Sequence, residues 1–449
     1  MIQLFMTNKK VFFWAFTVAL GGFLFGFDTA VISGAEKSIQ QLWSLNTFEH
    51  GLTVSIALIG TVVGSLTGAI PSDRFGRKAT LFAVAVLYLV SSVGTAMATD
   101  WVTFLLFRFL GGIGVGISSV AAPLYISEIS PARSRGRLVA MFQFNVVFGI
   151  LVAYLSNYLL VGFGENDWRW MLGVQAFPSV VFLVAILFVP ESPRWLITNK
   201  GEFKEAQRIL SVANDESEAK KILSDILLSA ESSSKEGGKA SIFSTQYKLP
   251  VLLALLFAFF NQVSGINAII YYAPRIFEMA GLGKSSALLS SAGIGLINFC
   301  FTLLAINLID RFGRRTLMFI GSFGLIITLG LVAWAFYSGN LGGYSVPIYL
   351  FVYIAFFALS QGAVIWVFIS EIFPNQVRAA GQSIGSFMHW LLAAIIAFTF
   401  PYFTETLGGG NTFMIFCGMM ILQLLFVWKM MPETKGTSLE QIEKTLIIH

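Results

Sequence analysis

The stretch GGFLFGFDTAVISG, residues 21–34, sets one carboxylate, Asp28, inside an apolar run that begins near Val11. A run of this length can span a bilayer at ~1.5 Å rise per residue. A carboxylate near mid-membrane costs roughly 2.5–3.5 kcal/mol on insertion scales, so something has to offset it. In the first half of the chain the other charge at comparable depth is Arg108, in the fourth apolar run. A packing ion pair would meet that need. A protonation site coupled to transport would meet it too, and it is the preferred reading, because ionisable groups inside membranes are functional by default.

Composition points the same way. The chain of 449 residues is 56% hydrophobic and only 12% charged, with a mean hydropathy of +0.76. Soluble domains carry about 25% charged residues. A single water-soluble core is excluded, and a polytopic membrane protein is implied. Cys300 and Cys417 each lie within an apolar run and suggest neither a disulfide framework nor a metal site. Lys9 and Lys10 before a long apolar run resemble a signal peptide. The run is too long for one and lacks an obvious small-residue cleavage site, so it reads as a retained first helix.

Twelve apolar segments are expected: 11–34, 51–71, 79–97, 101–126, 138–161, 170–190, 249–273, 286–309, 316–338, 347–371, 381–403 and 411–431. The loops are short except 191–248, where 202–230 shows helical periodicity with mixed charge and ESSSKEGGKAS (231–241) reads as a flexible linker. With the N-terminus inside, 24 of the 29 Lys and Arg residues fall on the cytoplasmic side and 4 opposite: Lys37, Arg169, Arg275 and Lys284. That bias places both termini and the long middle segment in the cytoplasm. The balance of +5 follows this sorting and calls for no nucleic-acid partner.

The chain repeats itself. DRFGRK at 73–78 returns as DRFGRR at 310–315, and SEISPARSRG at 127–136 as SEIFPNQVRAAG at 370–381. PESPRW at 190–195 has a shortened partner in PETKG at 432–436. Three motifs in one order, at offsets of 237 to 243, imply two six-helix halves. The expected architecture is all-α and integral to the membrane, with pseudo-symmetric halves at 1–190 and 249–431. A cytoplasmic helical linker at 191–248 and a tail at 432–449 complete it. Parallel halves of this kind describe major facilitator transporters, whose substrate site lies at the midplane between the halves.

In each DRFGR copy, Gly76 or Gly313 permits a sharp turn. Arg77 and Arg314 can reach acids on neighbouring helices, while Asp73 and Asp310 sit near helix ends. Glu128 with Arg135, Glu191 with Arg194, Glu371 with Arg378, and Glu433 with Lys435 lie at the same level. Solvated topology charges are one reading, since exposed pairs contribute only ~0–1 kcal/mol each. Their duplication favours a latch that closes the cytoplasmic side when the site faces out. Gly60, Gly64 and Gly68, and Gly112 with Gly116, have the small-residue spacing that lets helices approach closely in lipid. GGIGVG at 111–116 is no dinucleotide loop, because it lies within an apolar helix and no strand precedes it.

Polar residues inside the spans suggest the substrate. Gln143, Asn261, Gln262, Ser264, Asn267, Tyr271, Asn298, Trp366, His389 and Trp390 all fall in apolar segments. Amides carry donors and acceptors, as a ring of hydroxyls does. Aromatic faces suit the C–H faces of a sugar. Asn261, Gln262 and Gly265 interrupt the seventh run, which suggests a discontinuous helix lining a cavity. Any single amide could instead be interhelical glue. No nucleophile constellation, Walker loop or cofactor motif is present, so the chain reads as neither an enzyme nor an ATP-driven pump, and no cofactor is expected.

Taken together, FGFDTAVISG, DRFGRK, PESPRWL, NQVSGINAIIYY, DRFGRR, SEIFP and PETKG resemble the sugar porter family of the major facilitator superfamily, from about Gly21 to Leu439. That family includes bacterial proton–xylose, –arabinose and –galactose symporters and animal facilitative glucose and fructose transporters. The resemblance implies sugar contacts at Phe25, Gln143, Gln262, Asn267, Tyr271, Asn298, Gly362 and Trp366, with Asn261, His389 and Trp390 beside them. It implies a proton-coupling pair at Asp28 and Arg108, and facilitative animal members lack that Asp. Departures at Asn261, Ala363, Ile150, His389 and Phe27 fall near the inferred site and bear on which sugar is carried rather than on the class.

The leading expectation is proton-coupled monosaccharide import across a bacterial inner membrane by a monomer. The alternatives are an uncoupled facilitator with a structural Asp28–Arg108 pair, a sugar sensor, and a drug exporter. A sensor is expected to carry longer cytoplasmic tails than 432–449, and the amides of span seven favour a hydroxylated substrate over a hydrophobic drug.

Overall fold

The computed structural model describes residues 9–131, 134–235, 242–339, 343–374 and 377–435. Residues 236–241 of the linker, 436–449 of the tail, and 132–133 and 375–376 of the repeated loops lie outside them. Twelve helices among the described residues are long and apolar enough to cross a membrane. Spans one to six are Lys9–Leu42, Thr47–Thr67, Arg77–Met97, Trp101–Ile129, Arg135–Leu160 and Asp167–Leu187. Spans seven to twelve are Thr245–Met279, Lys284–Phe312, Arg314–Ser338, Ser345–Glu371, Ala380–Thr406 and Gly408–Lys429. The fold is all-α, with six spans on either side of a helical linker.

The first helix differs from its expected bounds. It runs eight residues past Gly34, to Leu42. Its 34 residues make a rod longer than the ~30 Å hydrocarbon core at ~1.5 Å per residue. Its polar last turns need no hydrophobicity to remain helical, so the apolar run understates the helix.

Spans seven and ten are each interrupted by non-helical backbone. Span seven is helical over Lys248–Val263 and again over Ile266–Met279, with Gly265 between them at φ +85°. A Cβ at Gly265 would also lie 2.6 Å from the Phe416 ring, so both the turn and the space require glycine. Span ten breaks at Ser360 (φ −115°, ψ −94°), between Ser345–Leu359 and Gln361–Glu371.

Packing divides the chain into two compact units. The first holds the described residues of Met1–Asp28, Gly60–Ile150 and Leu172–Lys239. Its helices meet backbone to backbone: a Cβ on Gly26 would sit 1.8 Å from the Val146 carbonyl oxygen, and one on Gly64 2.3 Å from that of Ile113. The linker helices Phe203–Ala213 and Glu216–Lys235 belong to this unit. Trp195, Leu196, Ile197, Ala206 and Ile209 form a small apolar core there with Trp14 and Leu223.

The second unit holds the described residues of Thr29–Ile59, Leu151–Met171 and Ala240–His449. Aromatic rings fill much of it, with Phe257 5.2 Å from Phe368 and Phe260 5.4 Å from Phe426 between centroids. Tyr154 donates to the Ile270 carbonyl at 2.6 Å, and the Asn157 amide to that of Val31 at 3.0 Å. Each bond satisfies a polar group that lipid could not.

The close approach of spans two and four gives a direct test. Gly64→Val should cost about 1–3 kcal/mol through overpacking, read as a lower thermal midpoint in detergent. Gly418→Ala, whose added Cβ meets no atom within 4 Å, should leave the midpoint unchanged. Equal midpoints for Gly64→Val and the parent protein would mean that these helices do not meet at Gly64.

Candidate functional site

The ionisable pair anticipated in the first and fourth spans is formed. Arg108 Nη1 lies 2.6 Å from Asp28 Oδ1, and Nη2 is 3.4 Å from the Asp28 carbonyl oxygen. Asp28 is 3% exposed and Arg108 2%. Gly111 helps to make the room, because a Cβ there would collide with Ser91 and stand 3.9 Å from Asp28 Oδ1. Arg108 Nε is buried without a hydrogen-bond partner among the described residues. Removing one member of a buried pair typically costs 3–5 kcal/mol, because it strands the other charge.

The amides of span seven form one connected chain in the second unit. Gln262 Nε2 donates to Asn261 Oδ1 at 2.9 Å and lies 3.1 Å from His389 Nδ1. Gln262 Oε1 accepts from Asn267 Nδ2 at 2.5 Å, and Asn261 Nδ2 is 3.4 Å from the Gln361 carbonyl oxygen. The break at Gly265 brings this about. It turns the chain between Gln262 and Asn267, five residues apart, so that the side chains meet. Trp366 packs 4.9 Å from His389, and Trp390 meets the same ring edge-on at 4.8 Å. Amides that bond mainly to one another can exchange those bonds for ligand hydroxyls without leaving a buried group unpaired.

The remaining candidates are more dispersed. Asn298, on span eight, is 8% exposed, and its side-chain oxygen accepts from Thr302 at 3.5 Å. Tyr271 is buried on the second segment of span seven. Gly362 stands two residues past the break in span ten, with Phe357 3.3 Å from where its Cβ would be. Phe25 and Gln143 belong to the first unit, where both are half-buried. The Phe25 ring is 6.5 Å from that of Phe142.

The repeated loop charges fold into two matching clusters, one in each unit. Arg77 Nε is 3.1 Å from Glu128 Oε2, and Arg314 Nε is 3.1 Å from Glu371 Oε2. Asp73 and Asp310 lie 3.1 and 3.2 Å from the same arginines, one turn earlier. Gly76 and Gly313 share an unusual backbone, φ +99° and +90°. Glu191 accepts the Arg77 backbone N–H at 2.9 Å, and Glu433 that of Arg314 at 3.0 Å. Glu128, Glu191, Glu371 and Glu433 thus each reach an arginine at the start of another span. Arg135 and Arg194 are exposed and form no ion pair among the described residues, and Arg378 Nε donates to the Phe373 carbonyl.

Two polar groups escaped the sequence reading. Gln361 donates to Gln423, which donates to Ser322, at 2.5 and 2.8 Å. Both glutamines are buried amides in apolar spans, the same signal that marked Gln262. A second buried charge cluster joins Glu36, His50 and Arg275. Glu36 and His50 fall just outside the apolar runs, where charge looked unremarkable.

Comparison with known proteins identifies the family. The family model for sugar (and other) transporters matches residues 14–446. The arabinose-proton symporter of Bacillus subtilis is 38% identical over 434 residues, covering 95% of this chain and 93% of that protein. The D-xylose-proton symporter of Escherichia coli (strain K12) is 36% identical over 474 residues, covering 97% and 96%. The inward-open structure of the xylose transporter XylE from E. coli superposes with a TM-score of 0.86 at 34% identity, covering 97% of this chain and 100% of that one. This chain is a member of the sugar porter family of the major facilitator superfamily.

Proposed function

We infer that this protein carries a monosaccharide and a proton together into the cell by alternating access. The observation that carries the reading is the buried Asp28–Arg108 pair, 2.6 Å apart in the first and fourth spans. Two relatives that span nearly the whole chain are named as proton symporters, of arabinose and of D-xylose. In this scheme Asp28 takes a proton on the outer side and releases it on the inner side. Arg108 then pairs with the bare carboxylate and holds the empty carrier. The excess of Lys and Arg supports a cell-membrane orientation with both termini in the cytoplasm.

The available work suffices. A charge crossing 100 mV is worth roughly 2.3 kcal/mol, and each pH unit adds about 1.4 kcal/mol. Together, ~3.7 kcal/mol concentrates a sugar several hundred-fold at one proton per sugar. Gln262, Asn267 and His389 supply hydrogen bonds to the sugar hydroxyls, and Trp366 supplies an apolar face. The two loop clusters act as latches at the cytoplasmic ends of the spans. Burial pushes the Glu433 carboxyl up, but the backbone N–H groups of Lys435, Arg314, Arg315 and Thr434 outweigh it and hold the group below the usual carboxylate range. The acid thus stays charged as a cap on the start of span nine.

Three measurements follow. Asp28→Asn keeps the size of a protonated carboxyl and cannot titrate. It should abolish sugar accumulation driven by a pH gradient while sugar binding remains. Accumulation as high as in the parent protein would remove Asp28 from the coupling. Gln262→Ala should weaken sugar binding by about 1–3 kcal/mol, roughly 5- to 150-fold, and calorimetry showing unchanged affinity would remove Gln262 from the site. Arg314→Ala should slow transport while equilibrium binding persists. A normal transport rate in that variant would leave the repeated charges as topology signals only.

A further inference from the structure

Glu36 lies eight residues beyond Asp28 on the first helix, about 12 Å along its axis, and is 1% exposed. Its Oε2 is 2.5 Å from His50 Nε2, at the start of span two, and its Oε1 is 3.2 Å from Arg275 Nε on span seven. His50 is fully buried. The Tyr272 ring covers it edge-on at 5.9 Å. His50 Nδ1 has no hydrogen-bond partner among the described residues. A buried carboxylate shared by an imidazole and a guanidinium, with one imidazole nitrogen vacant, can take up one more proton.

Polar surroundings give that proton a route. A cavity of about 470 Å³ is lined by Glu36, Lys37, Gln41, Arg275, Glu278 and Lys284, among others. The other charges near the cluster are paired or bonded elsewhere. Lys37 pairs with Glu278, and Lys284 lies 3.2 Å from Asp167. Glu49 accepts the Asn46 backbone N–H, and Glu405 accepts from Thr47. Glu36 therefore answers chiefly to His50 and Arg275.

Arg275 sits on the segment Ile266–Met279, which starts at the Gly265 turn and has a second non-helical residue at Tyr272 (φ −121°, ψ 19°). Asn267 rides on the same segment. Arg275 holds it to the first helix through Glu36 and through Gln40. A proton from bulk water, whether it settles on His50 Nδ1 or on Glu36, leaves Arg275 with less than a full counter-charge. We propose that Glu36 and His50 form a second proton-binding site, and that its occupancy loosens the hold of Arg275 on the segment carrying Asn267. The effect on Asn267 rests on the sugar reading above, whereas the proton site does not.

The chain has three histidines, His50, His389 and His449, so nitrogen-15 labelled histidine can be followed by NMR in the full-length protein in nanodiscs. The His50 signal, identified by its loss in His50→Gln, should titrate between about pH 5 and 8. Should that variant fail to fold, His389→Asn and His449→Asn identify the remaining signal. A His50 signal that does not change over this range overturns the proposal, whether or not any sugar moves. Gradient-free exchange of labelled sugar should differ about threefold or more between pH 5.5 and 7.5 in the parent protein, as expected when a histidine controls the step, with most of that slope gone in His50→Gln. The same slope in both proteins also overturns the proposal.

Discussion

Asp28 is held in the membrane interior by a single guanidinium, and the first unit is arranged to allow it. Arg108 reaches the carboxylate from the fourth span at 2.6 Å. Glycine at 111 keeps space beside the pair, and glycines 26 and 64 let neighbouring helices close in to backbone contact. Lipid supplies neither water nor counter-ions, so a charge at this depth has to be neutralised by protein or by a proton. In the proposed scheme, that choice between two neutralising partners is what couples the pair to transport. A permanently satisfied ion pair would be only structural.

The second unit meets a related constraint with backbone instead of charge. Breaking spans seven and ten exposes amide groups that lipid could not satisfy, and the breaks are tolerated because side chains and neighbouring helices take up the bonds. Tyr353 donates to the Ser264 carbonyl beside the Gly265 turn at 2.9 Å. Asn261 approaches the Gln361 carbonyl just past the break in span ten. Irregular backbone and the amide chain thus occupy one region, where a polar ligand can replace internal bonds at little cost.

Much of this was legible in the sequence, for physical reasons. Asp28 and Arg108 stood out because a charge in an apolar run has few explanations. The duplicated DRFGR loops stood out because turn glycine and charge recur in one order, and the two clusters are alike bond for bond, down to glycines 76 and 313. The seventh span announced its break through Gly265 among amides. Glu36, His50 and Arg275 did not stand out. Hydropathy ends the first span at Gly34, whereas backbone hydrogen bonding carries the helix to Leu42. Charges in those last turns look like surface charges until the fold buries them. Gln361 and Gln423 obey the same rule as Gln262, Gln143 and Asn298, and as buried amides in apolar spans they were equally legible.

Strict coupling of sugar to proton movement is the central claim, and proton flux tests it most directly. Purified protein in liposomes holding a pH-sensitive dye, with no initial gradient of pH or voltage, receives sugar on one side. The account predicts that sugar entry acidifies the interior in proportion to the sugar taken up, and that a proton ionophore abolishes the signal. Sugar entry at an undiminished rate with no change in internal pH would contradict it.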